Sequence, residues 1–117
     1  HEFACKDGTP LPEEFMNRIY AQAFILETLR LHLGCTILIN SAHRTLSHNQ
    51  KVGGVKNSFH IPALALDISV RNMTASQESK FLNWCIKMKA LNLIRYFQVY
   101  ASQKFIHIDF GHIKSMI

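Results

Sequence analysis

The sequence predicts an α+β fold, a small and mostly antiparallel sheet packed against helices. Three observations carry this prediction. Two segments place apolar residues at helical spacing, and four shorter runs have strand length and strand composition. Their order is helix, strand, strand, helix, strand, strand, without the strict alternation of a parallel βαβ sheet.

The first helix starts near Pro12, which suits a first helical turn because its missing N–H has no intrahelical partner there. Glu13 and Glu14 favour the positive helix end. Phe15, Ile19, Ala23, Leu26, Leu29 and Leu33 recur at steps of three or four, and Gly34 ends the run. Residues 35–40, rich in β-branched side chains, read as a buried strand. Residues 41–62 are polar and turn-like, with Gly53, Gly54 and Pro62. So long a loop inside a compact domain is often functional. Residues 63–69 read as the second strand. Thr74 and Gln77 form a capping box for a helix to about Leu91, with Phe81, Trp84, Cys85, Met88 and Leu91 as its apolar stripe. Residues 94–100 and 105–110 are two further strands, joined by residues 101–104.

The 117 residues suit a single domain, 1–117, expected to be monomeric. Hydrophobic residues make up 48% of the chain, enough for a core that offsets the entropy of ordering and excludes a disordered reading. No apolar stretch reaches the roughly 18–20 residues of a membrane helix. Opening on His1, with no basic and then apolar leader, the chain reads as an excised piece or a mature fragment, and any exporting signal would lie outside it. Cys5, Cys35 and Cys85 allow at most one internal disulfide; Cys35 and Cys85 read as core residues. The net charge of +5 favours polyanionic partners, but the basic residues are scattered and form no nucleic-acid recognition motif.

The chemistry lies in the histidines and aspartates. His107 and Asp109 are two apart on one strand and therefore share a face. His60 ends the polar loop, and Asp67 follows on the next strand. Two imidazoles and one carboxylate from His60, Asp67 and His107 suit Zn²⁺ with a fourth position open to water, the pattern of a catalytic site.

The residues Asn57-Ser58-Phe59-His60-Ile61-Pro62-Ala63-Leu64-Ala65-Leu66-Asp67 and Phe105-Ile106-His107-Ile108-Asp109 resemble the zinc D-Ala-D-Ala carboxypeptidase family, of the hedgehog/DD-peptidase fold group. That family writes S-x-H-x-x-G-x-A-x-D and then F-[IV]-H-[IV]-D. Upstream, Phe3-Ala4-Cys5-Lys6-Asp7-Gly8 resembles its opening F-x-C-x-D-G. Ser41-Ala42-His43-Arg44-Thr45, His48-Asn49 and Val52-Gly53-Gly54-Val55-Lys56-Asn57-Ser58 resemble its central block. The resemblance implies zinc held by His60, Asp67 and His107. It implies Arg44 placed near the substrate, where guanidinium can hold a carboxylate bidentately. Ser58 becomes a candidate for bonding substrate or a ligand. The implied substrate is a peptidoglycan stem peptide containing D-amino acids, cut by a carboxypeptidase or endopeptidase. The implied setting is the periplasm or cell wall, or an endolysin-like phage lysis protein.

The chain departs from the family pattern at three places. Phe59 stands for a glutamine, Ala63 for a glycine, and Lys104 for the acid that serves some branches as base. Asp109 is then the candidate base, with His43, His48 and His112 as weaker ones. Two other function classes are open, one from these departures and one from the basic charge. One is a catalytically impaired zinc domain that only binds cell-wall peptide or another ligand, as hedgehog-type domains keep such a triad. The other is a basic nucleic-acid-binding domain, disfavoured by the absence of a motif.

Overall fold

Pro12 caps a 3-10 turn, Glu13–Phe15, which runs directly into helix α1, Met16–Leu33. The structure, a computed structural model, describes residues 2–113. Gly34 ends α1 at φ 67°, where its amide donates to the Arg30 carbonyl at 2.9 Å. Only glycine enters that left-handed region without a steric cost. The buried stripe of α1 is Ile19, Gln22, Leu26, Leu29 and Leu33. Gln22 thus takes a fully buried place among the apolar residues, while Phe15 and Ala23 lie half-buried beside it.

Strand β1 is Leu38–Ser41, later and shorter than the expected 35–40. The long polar segment holds an unexpected short helix, α2, Leu46–Lys51. Thr45 caps it by accepting the His48 amide at 3.1 Å. Strand β2 is Ala65–Ser69. Ala63, expected inside it, has φ 58°, which no strand residue adopts. Helix α3 is Ala75–Ala90, and both bonds of its capping box form: Thr74 accepts from Gln77 N at 3.1 Å and Gln77 accepts from Thr74 N at 2.9 Å. Leu91 is 56% exposed and caps this helix, so it does not belong to the buried stripe. Strands β3, Tyr96–Tyr100, and β4, Phe105–Asp109, form the expected hairpin.

The sheet order is β1-β2-β4-β3, and every neighbouring pair is antiparallel. Its two faces serve different ends. Leu66, Ile68, Ile106 and Ile108 join Leu26, Leu29, Phe81 and Trp84 in one buried cluster beneath α1 and α3. Asp67, His107 and Asp109 alternate with those isoleucines and occupy the opposite face. The 41–64 segment reaches that face through Arg44 and His60, both in contact with Asp67. Burial pushes the Cys85 thiol, on the core side of α3, up to about 12. The three cysteines are free, with Cys35 only half-buried.

Leu29 is fully buried at the centre of the α1 stripe. Its truncation to alanine is expected to cost about 2–5 kcal/mol of stability, read from the denaturant midpoint at unchanged slope.

Candidate metal and catalytic site

The register of β2 against β4 sets Asp67 directly across from His107. Opposed residues on neighbouring strands bring their side chains together, and His107 Nδ1 lies 2.8 Å from Asp67 Oδ1. The third residue comes from the loop. His60 is 2% exposed, and its Nδ1 lies 2.7 Å from the Ala42 carbonyl oxygen. A carbonyl can only accept, so Nδ1 carries the proton and Nε2 carries a lone pair. Nε2 is buried 3.2 Å from Asp67 Oδ1 and makes no hydrogen bond.

Two lone pairs therefore face each other with no proton between them. A cation resolves that repulsion. Tetrahedral zinc bonds of about 2.0–2.2 Å place neighbouring donors roughly 3.3–3.6 Å apart, near the 3.2 Å between His60 Nε2 and Asp67 Oδ1. Two imidazole nitrogens and a carboxylate oxygen are also a zinc donor set. The residues fit the ion, and one donor atom from each of His60, Asp67 and His107 lies within 4.8 Å of the others.

Arg44 completes the surroundings. Its Nη2 lies 3.3 Å from Asp67 Oδ2, Nε donates to Ser41 Oγ at 3.1 Å, and Nη1 donates to Asn49 Oδ1 at 3.1 Å. Ser41 faces Asp67 because β1 carries a register shift between Ile39 and Ser41. Such bulges re-aim side chains beside functional sites. Asn49, 1% exposed, also donates to the Val55 carbonyl at 2.9 Å and so anchors α2 to the following turn. Gly54 is required there, since a Cβ would fall on Asn49 Oδ1. Burial raises the Asp67 pKa, but the neighbouring imidazoles, His107 first among them, outweigh it. The net result holds the carboxyl well below its ordinary 3.8.

The remaining expected residues have definite places. Ser58 is buried, and its Oγ accepts the His60 amide at 3.1 Å, so the contact it makes braces the loop under His60. Asp109 is 1% exposed. Its two oxygens accept from Arg95 at 2.8 Å each, and Oδ1 also accepts the Gly111 amide at 3.2 Å. It shares the face of His107 but is held by Arg95, whose guanidinium also lies 4.9 Å over the Phe59 ring. Lys104 lies exposed in the hairpin turn at φ 59°. His43 is buried against Phe15, and burial lowers its pKa. His48 lies on α2, and His112 in a 3-10 turn at Gly111–Ile113.

Three contributors escaped the sequence reading. Arg18 Nη1 donates to the Pro62 carbonyl at 2.7 Å, and Gln22 Nε2 donates to that of Ala63. Both tie the His60 turn to α1. Gln22 had a signal, a polar residue at stripe spacing between Ile19 and Leu26. Arg95 had none, because its partnership with Asp109 spans two strands.

The family described as Peptidase M15 matches residues 4–109. No curated protein and no solved structure matches the chain.

His60→Ala and His107→Ala are each expected to remove one equivalent of tightly bound zinc, read by metal analysis of the purified protein. Asp67 has a depressed folded pKa, so its contribution to stability is present above 3.8 and is lost as pH falls through the lowered value. Acid unfolding of the metal-free protein followed by circular dichroism should therefore lose steepness below about pH 4 in Asp67→Asn.

Proposed function

The chain belongs to the peptidase M15 family of zinc-dependent peptidases, and from that premise we propose that it hydrolyses peptide bonds in peptidoglycan stem peptides. The reaction is of the D-Ala-D-Ala carboxypeptidase or endopeptidase type. The observation that carries the reading is the buried, unpaired lone pair of His60 Nε2, converging with His107 on one oxygen of Asp67 while Arg44 covers the other.

His60, Asp67 and His107 would hold the ion. When bound, zinc supplies Lewis acidity toward the scissile carbonyl and a lowered pKa for water at its open position. The protein's own groups do the rest. Arg44 spends three of its five N–H donors on Ser41, Asn49 and Asp67. The remaining pair, one on each terminal nitrogen, suits a substrate carboxylate. A carboxypeptidase needs that grip on a chain end; an endopeptidase uses it on an acidic side chain or not at all. Asp109 is the base of this reading. A carboxylate has about four acceptor positions, and the three bonds from Arg95 and Gly111 leave one on Oδ2. Arg95 is 47% exposed, so its side chain has room to give way when substrate enters. Such a substrate places the protein in the periplasm, at the cell wall or in a phage lysis role.

A second reading has its own support. The Arg95 clamp on Asp109 and the lysine at position 104 both weaken the case for a base. A zinc domain that binds cell-wall peptide without cutting it follows from those two features.

Mass spectrometry of muropeptides incubated with the zinc-loaded protein separates the readings. Released D-alanine or a severed cross-link supports hydrolysis; intact muropeptides across substrates and pH, with binding retained, establish the second reading. If the protein cuts, Asp109→Asn should keep its zinc and lose about 10²–10⁴-fold in kcat. Arg44→Lys should lower kcat/KM by roughly 10–100-fold, the worth of a charged hydrogen bond.

A further inference from the structure

A second cluster of metal-binding side chains lies where the N-terminal segment meets α2. Cys5 is 4% exposed, and its Sγ accepts the Thr45 amide at 3.4 Å and lies 4.0 Å from Thr45 Oγ1. Asp7 Oδ1 accepts the Thr9 amide at 2.9 Å, and Oδ2 accepts the Thr45 hydroxyl at 2.8 Å. His48 stands one turn into α2 and gives its amide to Thr45 Oγ1 at 3.1 Å. One donor atom from each of Cys5, Asp7 and His48 lies within 4.8 Å of the others.

Hydrogen bonding alone does not account for this cluster. His48 Nδ1 is buried and has no hydrogen-bond partner among the described residues. A buried nitrogen left without a partner is costly, and a purely hydrogen-bonded brace would have paired it. Cysteine sulfur, imidazole nitrogen and carboxylate oxygen together form a donor set of the zinc and cobalt class. Asp7 is exposed, and each of its oxygens keeps an acceptor position beyond the bonds from Thr9 and Thr45, which lets the carboxylate close on an ion and opens the remaining coordination position to water.

We propose that Cys5, Asp7 and His48 form a second divalent-metal site, separate from the His60, Asp67 and His107 site, that fastens the N-terminal segment to α2. Binding replaces the Cys5 thiol proton, which leaves to solvent, and no electron transfer is involved. Thr45, which contacts both Cys5 and Asp7, joins the two ends of this site and adjoins Arg44 in the chain. The proposal does not depend on peptide hydrolysis, because its ligands are not shared with the catalytic cluster.

Titration of the metal-free protein with Co²⁺ tests it. The intact chain should take up about two equivalents, with a near-ultraviolet sulfur-to-cobalt charge-transfer band that saturates with one of them. His60→Ala should keep the band and bind about one equivalent fewer. Cys5→Ser and His48→Gln should each bind one equivalent fewer, and Cys5→Ser should lose the band. His48→Gln keeps the buried sulfur in place, so it decides the matter if Cys5→Ser does not fold. A single equivalent without a sulfur band in the intact chain, or unchanged stoichiometry in His48→Gln, overturns the second site.

Discussion

One buried carboxylate organises the polar face of the sheet. Asp67 takes His60 and His107 on one oxygen and Arg44 on the other. Removing a carboxylate from water is costly, and it remains ionised here because these groups surround it. Each of them reaches Asp67 by a different route: His107 across the β2–β4 ladder, His60 at the end of the long loop, and Arg44 at the start of it. The ladder and the loop therefore have to agree in register. A one-residue slip between β2 and β4 would turn Asp67 toward the apolar core.

Much of this was legible in the sequence, for physical reasons. The capping box at Thr74 and Gln77 and the stop at Gly34 are local chemistry, and both formed as read. The shared face of His107 and Asp109 follows from strand alternation alone. Helix α2 was not legible. It has six residues, and only Asn49 is buried, so it carries no apolar period to detect. Its stability comes from the Thr45 cap and from Asn49, which ties it to Arg44 and Val55. Ala63 was misread because burial in an apolar run looks the same for a strand and for a left-handed turn. What separates them is φ, which composition does not report.

The departures from the family pattern also find physical partners. At the position of the family's glycine, Ala63 holds φ 58° with its amide bonded to the His60 carbonyl at 3.1 Å and its own carbonyl bonded to Gln22. A left-handed non-glycine residue costs about 1–2 kcal/mol, and its methyl group is buried in return. Phe59, in place of glutamine, lies beneath the Arg95 guanidinium that grips Asp109. The guanidinium thus lies over the aromatic ring while its edge holds the carboxylate, and Gly111 beside it has no room for a Cβ, which would lie 2.7 Å from the Phe59 ring.

The bonds from Arg18 and Gln22 to the carbonyls of Pro62 and Ala63 have a mechanical consequence. They join the turn that carries His60 to a helix of eighteen residues whose buried stripe, Gln22 included, is packed in the core. A helix is a stiff rod, so the imidazole inherits the rod's position and has little travel of its own. The aperture is cast before any visitor arrives, and choice among visitors falls to what already fits it.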